Sequence, residues 1–288
     1  MKTIPTLDQD KLNWFIRTAL EEDVQDGDHT SLACIPPDQV GRAKLLVKDE
    51  GIISGIEIAR HIFTHLDPDA DVDVQIKDGS PVSHGDVAFY LTCRTQALLQ
   101  GERLALNTMQ RLSGISTLSR QFANEVSDID VTILDTRKTT PLLRFLEKWA
   151  VVVGGCTNYR DGLYDRIMIK DNHVDAAGTI TSAVERVVDY LTRHRKKLDM
   201  TVEVRNLEEL QEVLALPTIK PRVMLDNFEL EDMRTGVELV AGRLEVEASG
   251  GVSLNTVRSI AETGVNFISV GALTHSAHSL DLSLKIIK

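Results

Sequence analysis

Arg137 and Lys138 stand side by side where the β-branched run Val131-Thr132-Ile133-Leu134 stops and a helix-like segment, Leu142 to Val153, begins. A guanidinium beside an ammonium suits a ligand rich in carboxylate or phosphate. The end of a strand is also where α/β proteins bind ligands. The pattern recurs downstream. Ile167-Met168-Ile169 is followed by Lys170, Asp171, Asn172 and His173, and a third run carries Glu203 and Arg205. Val223-Met224-Leu225 is followed by Asp226 and Asn227. Ser249, Gly250 and Gly251 come after Leu244-Glu245-Val246-Glu247, and Gly271 and Ala272 after Phe267-Ile268-Ser269-Val270. Early strand ends thus offer cations, middle ones carboxylates, and the last two small residues ahead of helices. Gly-rich loops feeding helix N-termini bind phosphate through backbone N–H groups. Glu203 and Asp226 suit a divalent cation or sugar hydroxyls; buried pairing with Arg205 or Lys170 is the competing reading. The chain has no His/Cys ligand cluster, no Walker A loop and no GxGxxG after a strand, which argues against zinc, nucleoside triphosphate and dinucleotide sites.

The elements that must position these residues follow from periodicity. Residues 11–22 read as an amphipathic helix with Leu12, Phe15, Ile16, Ala19 and Leu20 on one face. Residues 40–94 alternate short β-rich runs (43–47, 71–76, 87–91) with Gly-rich turns around a helix at 55–66. This is a small α+β domain. A long helical stretch follows over 95–126, with Ser113-Gly114 expected to interrupt it. Beyond it, β runs near 131–134, 166–169, 202–205, 222–225, 244–248 and 266–270 alternate with helical patterns, the signature of a parallel sheet or barrel. The tail 282–287 alternates like a strand and returns to the first domain. The expected division is residues 1–113, joined by the tail 280–288, and an α/β barrel over 114–279.

Bulk properties narrow the class. A chain of 288 residues, 42% hydrophobic and 26% charged, is an ordinary globular protein with one large domain or two unequal ones. A formal net charge of −11 argues against nucleic acid as a partner. Cys34, Cys93 and Cys156 are few and far apart, which fits a reducing cytoplasm. There is no signal-peptide pattern, and no run approaches the roughly 18 apolar residues of a membrane span. Glu102-Arg103 reads by itself as a solvated helix face, and His61, His65 and His84 as surface residues.

At the strand ends the chain closely resembles the quinolinate phosphoribosyltransferases, the carboxylating nicotinate-nucleotide pyrophosphorylases. The matching segments are DTRKTTP (135–141), GG-x-x-N-x-R-x-GL (154–163), IKDNH (169–173), VEV with NLEEL (202–210), MLDNF (224–228), SGGV (249–252) and ISVGALTHS (268–276), with GERLALN at 101–107. The resemblance implies an N-terminal α/β sandwich followed by an open seven-stranded α/β barrel. It implies a homodimer, or a hexamer as a trimer of dimers, in which each barrel faces its neighbour's N-terminal domain. It implies the reaction of quinolinate with phosphoribosyl pyrophosphate, requiring Mg2+, to give nicotinate mononucleotide, pyrophosphate and carbon dioxide.

The resemblance also implies roles. Arg137, Arg160 and Lys170 would line the quinolinate pocket, with Arg103 reaching in from the partner subunit. Tyr159, beside Arg160, reads as a further substrate-binding residue whose hydroxyl hydrogen-bonds quinolinate, with packing beside Gly154-Gly155 as the alternative. Lys138, Glu203, Asp226, Ser249, Gly250, Gly251, Gly271, Ala272 and His275 would surround the phosphoribosyl group and its metal-bound pyrophosphate. Glu203 and Asp226 are the candidate Mg2+ ligands; Lys138, Lys170, Glu203 and Asp226 are the candidate catalytic residues. The chain departs from the family where Cys156 replaces the third glycine of Gly-Gly-Gly, Tyr159 a histidine, Leu142 a glycine and Arg205 a glutamate. These departures bear on turnover and substrate preference. Two rivals remain: a paralogous phosphoribosyltransferase-like protein with another substrate, and a non-catalytic small-molecule sensor. The intact set of Arg137, Lys138, Lys170, Glu203 and Asp226 argues against both.

Overall fold

The computed structural model of the chain describes residues 4–217 and 219–287. The first elements are α1 (Gln9–Val24), α2 (His29–Cys34), β1 (Val40–Val47), β2 (Gly51–Ile52), α3 (Ile56–Leu66), β3 (Asp71–Val74), β4 (Pro81–Val82), β5 (Val87–Arg94) and α4 (Thr95–Glu125). Next come β6 (Thr132–Leu134), α5 (Arg144–Gly154), β7 (Ile167–Ile169), α6 (Asp171–Ala177), α7 (Ile180–Arg193), β8 (Met200–Val204) and α8 (Leu207–Leu214). The last are β9 (Arg222–Asp226), α9 (Leu230–Val240), β10 (Val246–Ser249), α10 (Val257–Ala261), β11 (Phe267–Ser269), α11 (Ala272–His275) and β12 (Leu282–Ile287). No helix among the described residues is long and apolar enough to cross a membrane.

The chain divides into two compact units. The first comprises residues 1–120, 145–155 and 277–288. Its antiparallel sheet runs β12-β1-β5-β3, so the C-terminal strand pairs with β1 as its alternation requires. In β1 the pleat buries Ala43, Leu45 and Val47 on one face. Helix α1 is capped by Asp8, which accepts from the N–H groups of Asp10 and Lys11, and it buries Leu12, Ile16 and Leu20 at helical spacing.

Helix α4 runs unbroken through Ser113-Gly114, contrary to the expected interruption. The pair serves packing instead. A Cβ on Gly114 would come within 2.8 Å of the His278 carbonyl carbon, so glycine lets the C-terminal segment press against the helix. Ser113 Oγ accepts the Ser54 N–H at 2.9 Å. Continuity of α4 also carries the first unit to Arg120, past the expected boundary at 113. Residues 145–155, expected within the barrel, belong to this unit as well. There Glu147 is fully buried and takes Arg111 at 2.9 and 3.1 Å.

The second unit comprises residues 121–144 and 156–276. Its parallel sheet has the order β6-β11-β10-β9-β8-β7. That is six strands where seven were expected. Among the described residues, Thr157 adds a one-residue parallel bridge to Leu134 of β6. The strands bury both faces, with opposite chemistry. Val202, Val204, Val223, Leu225, Ala248 and Ile268 are apolar and wholly inaccessible. The alternate positions, Thr201, Glu203, Met224, Asp226, Glu247, Ser249 and Ser269, are mostly polar. Register aligns them as neighbours: Glu203 with Met224, Met224 with Glu247, and Asp226 with Ser249. The period of two therefore delivers a row of polar groups to one face and to the carboxyl ends of the strands.

Candidate active site

A cleft of about 750 Å³ opens at those carboxyl ends. It is lined by Arg137, Lys138, Tyr159, Arg160, Lys170, Glu203, Asp226, Ser249, Gly250, Gly251, Gly271, Ala272 and His275. Every candidate residue of the second unit is thus in one place. Arg103 is not among the lining residues; it is exposed on α4. A second hollow of about 590 Å³ shares Arg137, Arg160, Met168 and Lys170 and adds Arg166, His173 and Arg186. The cationic wall is therefore longer than the sequence indicated.

Local structure fixes each group. Asp135, wholly buried at the end of β6, accepts the Tyr159 N–H at 2.8 Å and so joins the two cation-bearing loops. Thr274 Oγ1 donates to the Lys138 carbonyl at 2.8 Å, and Lys138 N–H donates to Thr136 Oγ1 at 3.1 Å. A Cβ on Gly271 would lie 3.0 Å from Lys138 Cδ and 3.1 Å from His275 Nε2, so glycine leaves room for both side chains. His173 Nδ1 accepts the Lys170 N–H at 3.0 Å, which fixes the start of α6.

Lys170 Nζ lies 2.9 Å from Glu203 Oε2. This is one of the pairings weighed against a metal role. Glu203 nonetheless faces the cleft with Asp226, whose Oδ1 accepts from Ser249 Oγ at 2.5 Å and Oδ2 from Asn227 Nδ2 at 2.8 Å. No group of three or more metal-ligating residues occurs among the described residues. Two carboxylates still fit Mg2+, which typically takes one or two and completes its shell with water and substrate phosphates.

Arg160 and Arg137 are half-buried, and Arg137 Nε is buried without a hydrogen-bond partner among the described atoms. Burial, then the Arg137 charge, lowers the Arg160 pKa, and Arg160 stays charged. Burial and the neighbouring Glu247 raise the Tyr159 phenol, so it is neutral throughout the physiological range. Beneath it, wholly buried Glu247 accepts from Ser269 Oγ at 2.6 Å and pairs with Arg222 at 3.3 Å. Burial raises the Glu247 carboxyl above the ordinary value. The Arg222 guanidinium lies 3.6 Å from the Phe267 ring centroid and 5.4 Å from that of Tyr159.

The four departures now have physical accounts. Tyr159 hydrogen-bonds Thr201 Oγ1 at 2.6 Å, so its hydroxyl already has a protein partner. Gly155 has φ +109 and needs glycine, whereas Cys156 is buried without a positive φ and does not. Leu142 sits at φ +67, a left-handed position that glycine takes without strain. Arg205 pairs with Glu209 at 2.6 Å and Asp175 at 3.1 Å and is outside the cleft lining.

One expectation about phosphate is altered. Gly250 and Gly251, at φ +97 and +59, open a turn that precedes α10 by several residues, and α11 is only four residues long. An anion placed there would meet backbone N–H groups of loops rather than a long helix dipole. Reasoning from strand ends missed Thr136, Met168, Met224, Val252 and Ser269 in the lining, and it named Asn227 without giving it a role. Met168, Met224 and Ser269 lie two residues below Lys170, Asp226 and Gly271, so counting back along each strand would have found them.

Comparison with known proteins gives the same picture. Family models described as quinolinate phosphoribosyl transferase, N-terminal and C-terminal domain, match residues 28–113 and 115–285. The chloroplastic nicotinate-nucleotide pyrophosphorylase (carboxylating) of Arabidopsis thaliana is 44% identical, over 98% of this chain and 84% of its own. The crystal structure of NadC from Streptococcus pyogenes superposes with a TM-score of 0.91 at 33% identity, covering 99% of this chain and 100% of that one. The nicotinate-nucleotide pyrophosphorylase structure from Francisella tularensis gives 0.90 at 34%, with both chains fully covered.

Proposed function

This chain belongs to the quinolinate phosphoribosyltransferase family, and from that premise we infer how its cleft works. The enzyme transfers the phosphoribosyl group of phosphoribosyl pyrophosphate to quinolinate with decarboxylation. The products are nicotinate mononucleotide, pyrophosphate and carbon dioxide, a step of NAD biosynthesis. The observation that carries this is the meeting, in one cleft, of a cation wall with a carboxylate pair and two glycine loops.

Arg137, Arg160 and Lys170 are the fixed cations for the two adjacent carboxylates of quinolinate. A guanidinium matches a carboxylate in a two-point contact. Lys138, His275 and the loops at 249–252 and 271–272 hold the phosphates. Glu203 and Asp226 would hold Mg2+ with pyrophosphate oxygens, and the ion would neutralise the leaving pyrophosphate. Glu203 also places negative charge where the ribosyl centre becomes oxocarbenium-like. Holding both reactants in one orientation contributes much of the remainder. When carbon dioxide leaves, the electron pair it abandons sits among the cations that held the dicarboxylate until a proton takes its place on the ring carbon.

Arg103 serves this reading as a residue of a second copy. It is exposed on α4, and Leu163 and Tyr164, beside the cation wall, are exposed apolar side chains that a dimer would cover. A homodimer is the smallest such assembly, and a hexamer would be three of them. Cys34, Cys93 and Cys156, few and far apart in the sequence, suit a reducing compartment such as the cytoplasm. The direct test mixes the protein with quinolinate, phosphoribosyl pyrophosphate and Mg2+ and follows nicotinate mononucleotide by absorbance. Chelating the metal should stop the reaction. No product at saturating substrates would leave a paralogue with another acid, or a sensor.

A further inference from the structure

Asn227 has no part in the mechanism above, yet it joins three elements of the cleft. It follows β9 directly in a left-handed conformation, φ +57. Its N–H donates to the Ser249 carbonyl at 2.9 Å, tying the end of β9 to the end of β10. Its side-chain amide donates to Asp226 Oδ2 at 2.8 Å, while Ser249 Oγ takes the other carboxylate oxygen at 2.5 Å. Gly250 lies against its far side: a Cβ there would sit 2.5 Å from Asn227 Cγ and 2.8 Å from its backbone N. Asp226, Asn227, Ser249 and Gly250 form a closed ring on the cleft wall.

We propose that Asn227 is a positioning residue for the pyrophosphate end of the cleft, acting through Asp226 and the Gly250 loop. This rests on the reading of the chain as a quinolinate phosphoribosyltransferase. A carboxylate held by one donor on each oxygen keeps a single orientation. Its remaining lone pairs are thereby aimed into the cleft, at a metal ion or a ribosyl hydroxyl. The same amide sets how closely the Gly250 backbone approaches, and hence where its N–H groups point. Cations for quinolinate lie on other strands, after β6 and β7, so the effect is confined to one substrate.

A purely local role makes the opposite forecast. Asparagine is tolerated in left-handed turns, but glycine is better suited to them. If Asn227 served only the turn, Asn227→Gly would be neutral or stabilising. On the proposal, Asn227→Gly weakens calorimetric binding of phosphoribosyl pyrophosphate, at saturating Mg2+, by about ten-fold or more, the size of a lost hydrogen bond to a charged group. Quinolinate binding, which also monitors the fold, stays within about two-fold. Asn227→Ala, which deletes the amide but keeps a Cβ, should show the same split. Wild-type affinity for phosphoribosyl pyrophosphate in the glycine variant, or equal loss of both ligands in both variants, overturns the proposal. A wild-type protein that binds neither ligand refutes the functional reading of the cleft, which is a separate outcome.

Discussion

Arg137 illustrates a side chain whose surroundings make sense only with a ligand. Its Nε is buried and unpartnered among the described atoms, beside a second guanidinium whose own charge is disfavoured by burial. Arg137→Ala should fold and lose quinolinate binding, at a cost of roughly 2–5 kcal/mol, because a truncated charged contact leaves its partner desolvated and unpaired. Calorimetry reads this directly, and unchanged affinity would remove Arg137 from the pocket. Tyr159 is the contrasting case. Sequence reasoning gave its hydroxyl a hydrogen bond to quinolinate, but Thr201 holds that hydroxyl at 2.6 Å. Tyr159→Phe should therefore lower stability by about 0.5–1.5 kcal/mol and leave quinolinate affinity near wild type. Tyr159→His should introduce a group titrating near pH 6.5. Its imidazolium adds a cation beside Arg160, so binding tightens as pH falls from about 7.5 to 6. Affinity measured across that range, with the melting temperature of the Phe variant, separates the two effects.

Elements were legible wherever periodicity was strong, and their ends were decided by single residues. The segment expected to be helical from Leu142 begins at Arg144, because Leu142 is left-handed at φ +67 and 73% exposed. Nothing is gained from that side chain, so Leu142→Gly should raise stability by roughly 1 kcal/mol, the left-handed strain relieved less the entropy of a freer unfolded chain. Denaturant midpoints would show it; a decrease would mean that the leucine has a covering partner. Gly114 is the reverse lesson. A mid-helix Ser-Gly pair reads as a break, yet α4 passes straight through it. The signal was real, but its cause was the chain pressing on the helix at His278 and not the conformation of the glycine itself. Gly114→Ala should thus destabilise by about 1–3 kcal/mol despite alanine's better helix propensity, since backbone must move. A variant as stable as wild type in thermal melts would contradict that packing.

At the scale of the whole molecule the outstanding question is the second copy. If Arg103 completes a neighbour's cleft, Arg103→Ala and Lys170→Ala are each inactive as homodimers, and mixing them restores part of the activity. A reassorted dimer holds one cleft with both residues intact. Subunit exchange without recovery would place the arginine in its own chain or outside the reaction. Residue types at six strand ends, read in order, were enough to pick out residues that line one cleft: cations, then carboxylates, then glycines. The sequence could do this because strand ends share one side of a parallel sheet whatever the register. The family motifs, long and ordered, then assigned the substrates. What the sequence could not supply was anything that depends on which atoms meet. Tyr159 with Thr201, and Ser249 and Asn227 on Asp226, are pairs across 23 to 42 positions of chain, apart from the adjacent Asn227, and between Lys170 and Arg205 as the partner of Glu203 the sequence made no choice. The strand count, the continuity of α4 and the left-handed backbone at Leu142 and Asn227 were likewise decided in three dimensions. Periodicity fixes which face a side chain takes. Register, loop conformation and close approach fix its partner, and these are properties of packed neighbours that no local pattern contains.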